Sequence, residues 1–221
     1  MRKLLTSKAF KLPRHNLILK LFCFSLILLI GGCAALLKEE RSFSKNGLTI
    51  AFRSLNFLDD VEKIKFIYPI IISEKNIRNH LLSLYHQDIT TPRRPKPLFA
   101  RSTATELAPL FRTVMKKVKP GKYLNFKYND AGGITEGQVF ATAKKLHWRI
   151  LKINGIVHSN DPLRLKRPTW RLVRMNGQYY QILQTGGFKK VIKNRITANI
   201  NLPFPKQRLS SRSRKNSSPK N

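Results

Sequence analysis

Histidine titrates nearest neutrality and is the commonest metal ligand, so the search for chemistry begins with its spacing. His80 and His86 are six residues apart, a separation that does not share a helix face. His147 and His158 are eleven apart, and no histidine has a second His, Cys or carboxylate at metal-binding spacing. Asp161 follows His158 by three residues, but Pro162 beside it makes the pair read as a surface turn. No Gly-x-Ser-x-Gly elbow occurs, and Ser73 and Ser102 stand where helices are expected to start. The run Asp130-Ala-Gly-Gly-Ile-Thr-Glu-Gly137 offers backbone amides to an anion. It reads more simply as a turn between strands, with glycine supplying positive φ. A Walker motif and a dinucleotide fingerprint are both absent. Eleven Asp+Glu in 221 residues leave little for calcium sites or paired-acid catalysis. These patterns predict no enzyme, no cofactor and no metal.

What remains is charge. Lys+Arg number 43, giving a formal net charge of +32, while 42% hydrophobic residues exclude a wholly disordered polyelectrolyte. Lys144, Lys145, Arg149, Arg171 and Arg174 crowd one β-prone region with Trp148, Trp170, Tyr179 and Tyr180. Aromatic side chains interleaved with cations on a sheet are how single-stranded nucleic acids are held. The same pattern suits anionic lipid, glycolipid or cell-wall polymer, at about 1 kcal/mol per basic residue near a charged surface. Core aromatics beneath a solvated cationic face would look identical, because net charge argues about association and not about fold. The candidate polyanion-binding residues are therefore Lys144, Lys145, Arg149, Arg171, Arg174, Trp148 and Trp170.

The N-terminus reads as an address. Six cations and no acid occupy residues 1–20, an apolar block follows over 21–30, and Gly31-Gly32-Cys33-Ala34 closes it. Those are the parts of a secretory signal. The run Ile30-Gly31-Gly32-Cys33 resembles the lipobox of bacterial lipoproteins, an aliphatic residue, two small residues and a cysteine. The resemblance implies cleavage before Cys33 and acylation of that residue, and Ala34, in place of Asp, implies outer-membrane sorting in a double-membrane host. An uncleaved anchor over 21–37 is the rival, since 17 apolar residues are the lower limit for a span. Either way the remaining chain is expected outside the cytoplasm, because a basic flank stays inside.

Positioning elements follow from periodicity. Residues 48–52 alternate as a strand, and 63–72 is a second β-prone run that Pro69 marks as an edge or bulge. Ser73 caps a helix whose face carries Ile77, Leu81, Leu82 and Tyr85. A Pro-rich basic connector spans 89–101. Thr103 and Glu106 form a capping box for a helix over 104–118 with the stripe Leu107, Leu110, Phe111, Val114, Met115 and Val118, and Pro109 argues for a later start. Strands are predicted over 123–128, 137–142, 146–153, 170–175, 178–183 and 196–202, with Asn176-Gly177 as a type I′ hairpin turn. The expected fold is α+β, a mainly antiparallel sheet of about seven or eight short strands with two helices on one face. The expected organisation is signal peptide 1–32, lipidated cysteine and linker 33–45, globular domain 46–202 and disordered basic tail 203–221. Glu106-Leu-Ala-Pro-Leu110 and Gly137-Gln-Val-Phe140 also resemble uncharacterised bacterial lipoprotein domains, a likeness that carries no activity and no site.

The leading expectation is a lipid-anchored cell-envelope protein, a non-enzymatic module contacting anionic lipid, glycolipid, cell-wall polymer or a protein partner. An exported nucleic-acid-binding module is the alternative, and an envelope hydrolase lacks its acid, nucleophile and metal.

Overall fold

A computed structural model describes residues 41–58, 65–91, 93–159, 167–185 and 188–205. The lipobox with Cys33, the apolar block over 21–37, Asp161 and residues 206–221 lie outside the described residues. Among these residues eleven strands and two α-helices follow in chain order: β1 (Ser42–Lys45), β2 (Leu48–Ser54), α1 (Glu74–Ser83), β3 (Tyr85–Asp88), β4 (Lys96–Pro97), α2 (Arg101–Met115), β5 (Lys122–Asp130), β6 (Gly133–Ala141), β7 (Lys145–Ile153), β8 (Ile156–Val157), β9 (Trp170–Val173), β10 (Gln178–Thr185) and β11 (Phe188–Asn199). The fold is α+β. Its main antiparallel sheet has the order β1-β2-β5-β6-β7-β11-β10, with β8 added to the end of β7, and β4-β3-β9 forms a small second sheet.

Alternation decides which face is buried. Leu48, Ile50, Leu124, Phe126, Val139, Ala141, Leu146, Trp148, Ile150, Ile196 and Ala198 point to one side of the main sheet and are almost fully buried. They share one core with Ile77 and Leu81 of α1 and with Leu107, Phe111, Val114 and Met115 of α2. Ser73 caps α1 as its sequence predicts, its hydroxyl accepting from Asn76 N at 3.2 Å. Helix α1 ends at Ser83, so Tyr85 lies in β3.

Several expectations need correction. The run over 65–72 forms no strand; a single bridge joins Phe66 to Thr142. Its apolar residues serve two separate layers, Ile70 and Ile72 entering the main core while Phe66 packs beside Phe140 on the other side of the sheet. Helix α2 begins at Arg101, before the predicted capping box, with Ala100 at its N-cap and no side-chain cap. Burial of Phe99 and Ala104 sets that start, and Thr103 and Pro109 are carried inside the helix. Strand β1 falls within the stretch read as linker, pairing with β2 through Asn46 (φ 51°) and Gly47 (φ 72°). Positive φ at both positions is the type I′ requirement, and Asn154 (φ 49°) and Gly155 (φ 82°) repeat it between β7 and β8. At Asn176-Gly177 only Gly177 has a positive φ. That turn does not close a hairpin; it carries the chain from β9 in the small sheet to β10 in the large one.

Strand β11 is longer than predicted and has two parts. Arg195–Asn199 pairs with β7, whereas the earlier part pairs with β10 alone. Lys152 of β7 pairs with Glu136 on one edge and with Val157 of β8 on the other. So β8 occupies the edge that β11 has left, and the β10–β11 ribbon runs beyond the layered sheet.

Candidate functional site

The predicted polyanion-binding residues separate into four groups. Lys144 and Lys145 are exposed at the β6–β7 turn. Trp148 is wholly buried, meeting Phe111 at 5.5 Å and Phe126 at 6.0 Å edge to face. Trp170 is also buried, its Nε1 donating to the Ile156 carbonyl at 3.1 Å. Neither indole presents a face to a ligand, which corrects the reading of these rings as a stacking platform. Alternation supplies the reason. Trp148 points towards the helices, and Arg149, the next residue, points to the opposite side of the sheet.

Arg149 joins a buried polar patch on that opposite side. It faces Arg195 across the β7–β11 ladder, and its Nη1 donates to Gln138 Oε1 at 3.5 Å. Like charges directly opposite are unfavourable unless other contacts compensate. Arg195 donates from Nη1 to Gln181 Oε1 at 2.6 Å and lies 5.8 Å over the Phe140 ring. His147 sits in the same patch, stacked on Phe140 at 4.8 Å, with Thr197 Oγ1 2.9 Å from its Nδ1 and Thr142 Oγ1 3.3 Å from its Nε2. Burial first, then the Arg195 and Lys145 charges, push its pKa down to about 4. His80 is likewise held near 4 by burial, its Nε2 donating to the Ile200 carbonyl at 3.3 Å. Both rings are neutral braces of the fold at physiological pH.

Two cations meet tyrosine rings of β10, one on each face of the sheet. A shallow groove of about 640 Å3 at the β9–β10 turn is lined by Arg171, Arg174, Tyr179 and Tyr180 among others. Arg174 lies 4.8 Å over the Tyr180 ring at this groove, while on the opposite face of β10 Lys145 Nζ lies 5.8 Å over Tyr179, which is 58% exposed. Such placements hold a cation by the ring quadrupole without neutralising it. Arg171 donates from Nη2 and Nε to Gln87 Oε1, at 2.8 and 3.2 Å, which fixes its guanidinium at the rim.

One buried residue sets the groove floor. Gln178 Oε1 accepts from Met175 N at 2.8 Å, and its Nε2 donates to Ser83 Oγ at 2.8 Å and to the Ser83 carbonyl at 3.1 Å. Ser83 Oγ in turn donates to the His80 carbonyl at 2.7 Å. The turn is thereby tied to the end of α1, and the Tyr180 hydroxyl donates to the Leu172 carbonyl at 2.7 Å. Sequence reading overlooked Gln178 and Arg195, because a lone Gln or Arg in a strand carries no motif.

The glycine-rich run places Ala131 and Gly132 in the β5–β6 turn. Asp130 Oδ1 accepts from Gly132 N at 2.8 Å, so the chain's own carboxylate takes an amide that an anion cradle needs. Among the described residues no group of three His, Cys, Asp or Glu is placed to hold a metal, and no helix is long and apolar enough to cross a membrane. No protein-family model matches the chain, and no curated protein and no solved structure shows significant similarity to it.

Proposed function

We propose that this chain is a lipid-anchored cell-envelope protein, acylated at Cys33, whose domain is a non-enzymatic binding module for an anionic envelope component. The outer membrane is its place in a double-membrane host. The observation that carries the binding reading is the groove at the β9–β10 turn, where Arg174 lies over Tyr180 and Arg171 is held at the rim by Gln87. Its charge is unopposed in sequence, since no Asp or Glu follows Asp161. A phosphate- or carboxylate-rich polymer or headgroup is the ligand that such a surface favours.

The test uses the full chain in mild detergent with lipopolysaccharide as probe. Arg174→Glu with Arg171→Glu should weaken binding by tenfold or more, at about 1 kcal/mol per basic residue and more on reversal. Unchanged affinity at low ionic strength would refute the groove. Palmitate labelling that persists in Cys33→Ser would refute the anchor. The exposed Tyr179 keeps the nucleic-acid alternative open to the same measurement. If Tyr179→Ala removes about 1–3 kcal/mol of single-stranded DNA affinity and leaves lipopolysaccharide binding intact, base stacking is the function of this surface.

A further inference from the structure

The β10–β11 ribbon leaves the layered part of the fold with apolar side chains still on it. Ile182 and Val191 are directly paired across the ribbon, so they point to the same face, and they are 56% and 43% exposed. Alternation along the paired part of β11 puts Lys189 on that face beside Val191 and Lys190 on the other, and Lys193 follows Ile192 where the β10–β11 register shifts; all three lysines are exposed. The ribbon from Gln178 to Ile192 contains no carboxylate. The described acids at this end of the sheet, Asp130 and Glu136, lie on β5 and β6, with β7 between them and the ribbon.

We infer that this ribbon docks on an anionic bilayer, with Ile182 and Val191 entering the headgroup–acyl boundary, Lys189 meeting lipid phosphates, and Lys190 and Lys193 adding to the attraction of the charged surface. Three physical points favour a bilayer as the occupant. Two paired side chains are far too little surface for a stable protein interface, which needs about 800 Å2 per partner. A bilayer demands no shape complementarity and accepts a small apolar wedge if cations surround it. Lysine suits the rim, because its four-carbon stem lies along apolar surface while the ammonium reaches a headgroup. A two-stranded ribbon is also marginal by itself in water, and an apolar phase against one face supplies what the fold does not. This surface is separate from the groove at the β9–β10 turn, and neither requires the other.

Depth of a probe at the ribbon tests the inference. The full chain carrying Cys23→Ser, Cys33→Ser and Val191→Cys is labelled with a nitrobenzoxadiazole fluorophore and mixed with lipid vesicles. A control chain carries the label at Thr105→Cys, exposed on α2. With phosphatidylcholine vesicles containing 30% phosphatidylglycerol, roughly the anionic share of a charged leaflet, the label at 191 should shift to the blue. Brominated acyl chains should quench it, while the control label stays in water. Lys189→Gln, Lys190→Gln and Lys193→Gln together should weaken this response on the order of a hundredfold, at about 1 kcal/mol per lysine. These positions are exposed, and circular dichroism will verify that the variant is folded.

A label at 191 that stays in water on anionic vesicles overturns the inference. So does equal quenching on neutral vesicles with no dependence on the lysines, which would mean non-specific adsorption. Protection of the label only by an added protein fraction overturns it in favour of a protein partner. Measuring the same label in the Arg174→Glu, Arg171→Glu background separates this result from that of the groove: groove binding is lost there, and ribbon insertion should persist.

Discussion

Replacing Trp148 by alanine distinguishes a core residue from a ligand-stacking one. The indole is fully buried and packs edge to face on Phe111 and Phe126, with His80 6.4 Å away. Removing a buried aromatic of this size costs roughly 3–5 kcal/mol in lost transfer energy and cavity formation. At about 2–4 °C per kcal/mol for a domain of this length, the melting temperature should fall by roughly 6–20 °C. Trp148→Phe should behave differently. It keeps most of the ring contacts and removes an indole N–H that finds no acceptor among the described residues. An unsatisfied buried donor costs about 1–3 kcal/mol, so its removal offsets much of the lost volume. Thermal unfolding of the full chain in mild detergent, followed by far-ultraviolet circular dichroism, gives both shifts. Lipopolysaccharide binding measured well below both melting points should match that of the wild type in the phenylalanine variant. The reasoning fails if Trp148→Ala melts within about 2 °C of wild type yet loses tenfold in ligand affinity.

Two further outcomes follow from buried groups. His80 and His147 have folded pKa values pushed down to about 4, so the unfolded chain binds their protons first. Stability should be full above pH 6.5 and decline as pH falls towards 4, by roughly 2 kcal/mol per histidine at pH 5; urea midpoints that do not move between pH 7 and 5 would contradict this. Gly137 leaves no room for a side chain, since an added Cβ would stand 2.6 Å from the Phe126 ring and 2.9 Å from the Arg149 carbonyl oxygen. Gly137→Ala should therefore cost about 1–3 kcal/mol by overpacking, and an unchanged denaturation midpoint would show that the β6 bulge can yield.

The parts of this fold legible in the sequence are those where local pattern and tertiary burial coincide. Residues 122–153 alternate cleanly because β5, β6 and β7 form a local meander under α2, and Ser73 announces α1 by its own hydrogen bond. The run over 65–72 misleads because its apolar residues are shared between two layers with no ladder to hold them. The three Asn-Gly pairs are alike as dipeptides. Only the partner chosen by the following strand makes two of them hairpins and the third a passage between sheets. The candidate site is harder still. Alternation alone shows that Trp148 and Arg149 face opposite ways, but which side is covered depends on where the helices lie. Tyr179 and Tyr180 are adjacent in sequence and alternate to opposite faces, but that Tyr180 is the ring held against β9, by its bond to the Leu172 carbonyl, depends on how the two sheets meet.

Strand β10 forms one end of the main sheet, and no described strand pairs with its outer edge. Its eight residues, Gln178–Thr185, contain no charge, no proline and no glycine. Proteins usually protect such an edge with a lysine, a proline or a covering segment, because open backbone groups are a template for another chain. Here the protection is global, a net charge of +32 on the full chain, or 32 − 6 = +26 without the six cations of residues 1–32, that keeps two copies apart. Salt weakens it, since charges further apart than about 10 Å are screened at 0.1 M. The colloidal behaviour of this protein should therefore run against common practice. Light scattering should report self-association that grows as salt is added, and the dilute buffers that make cationic proteins adhere to polyanions are the ones in which it should remain dispersed.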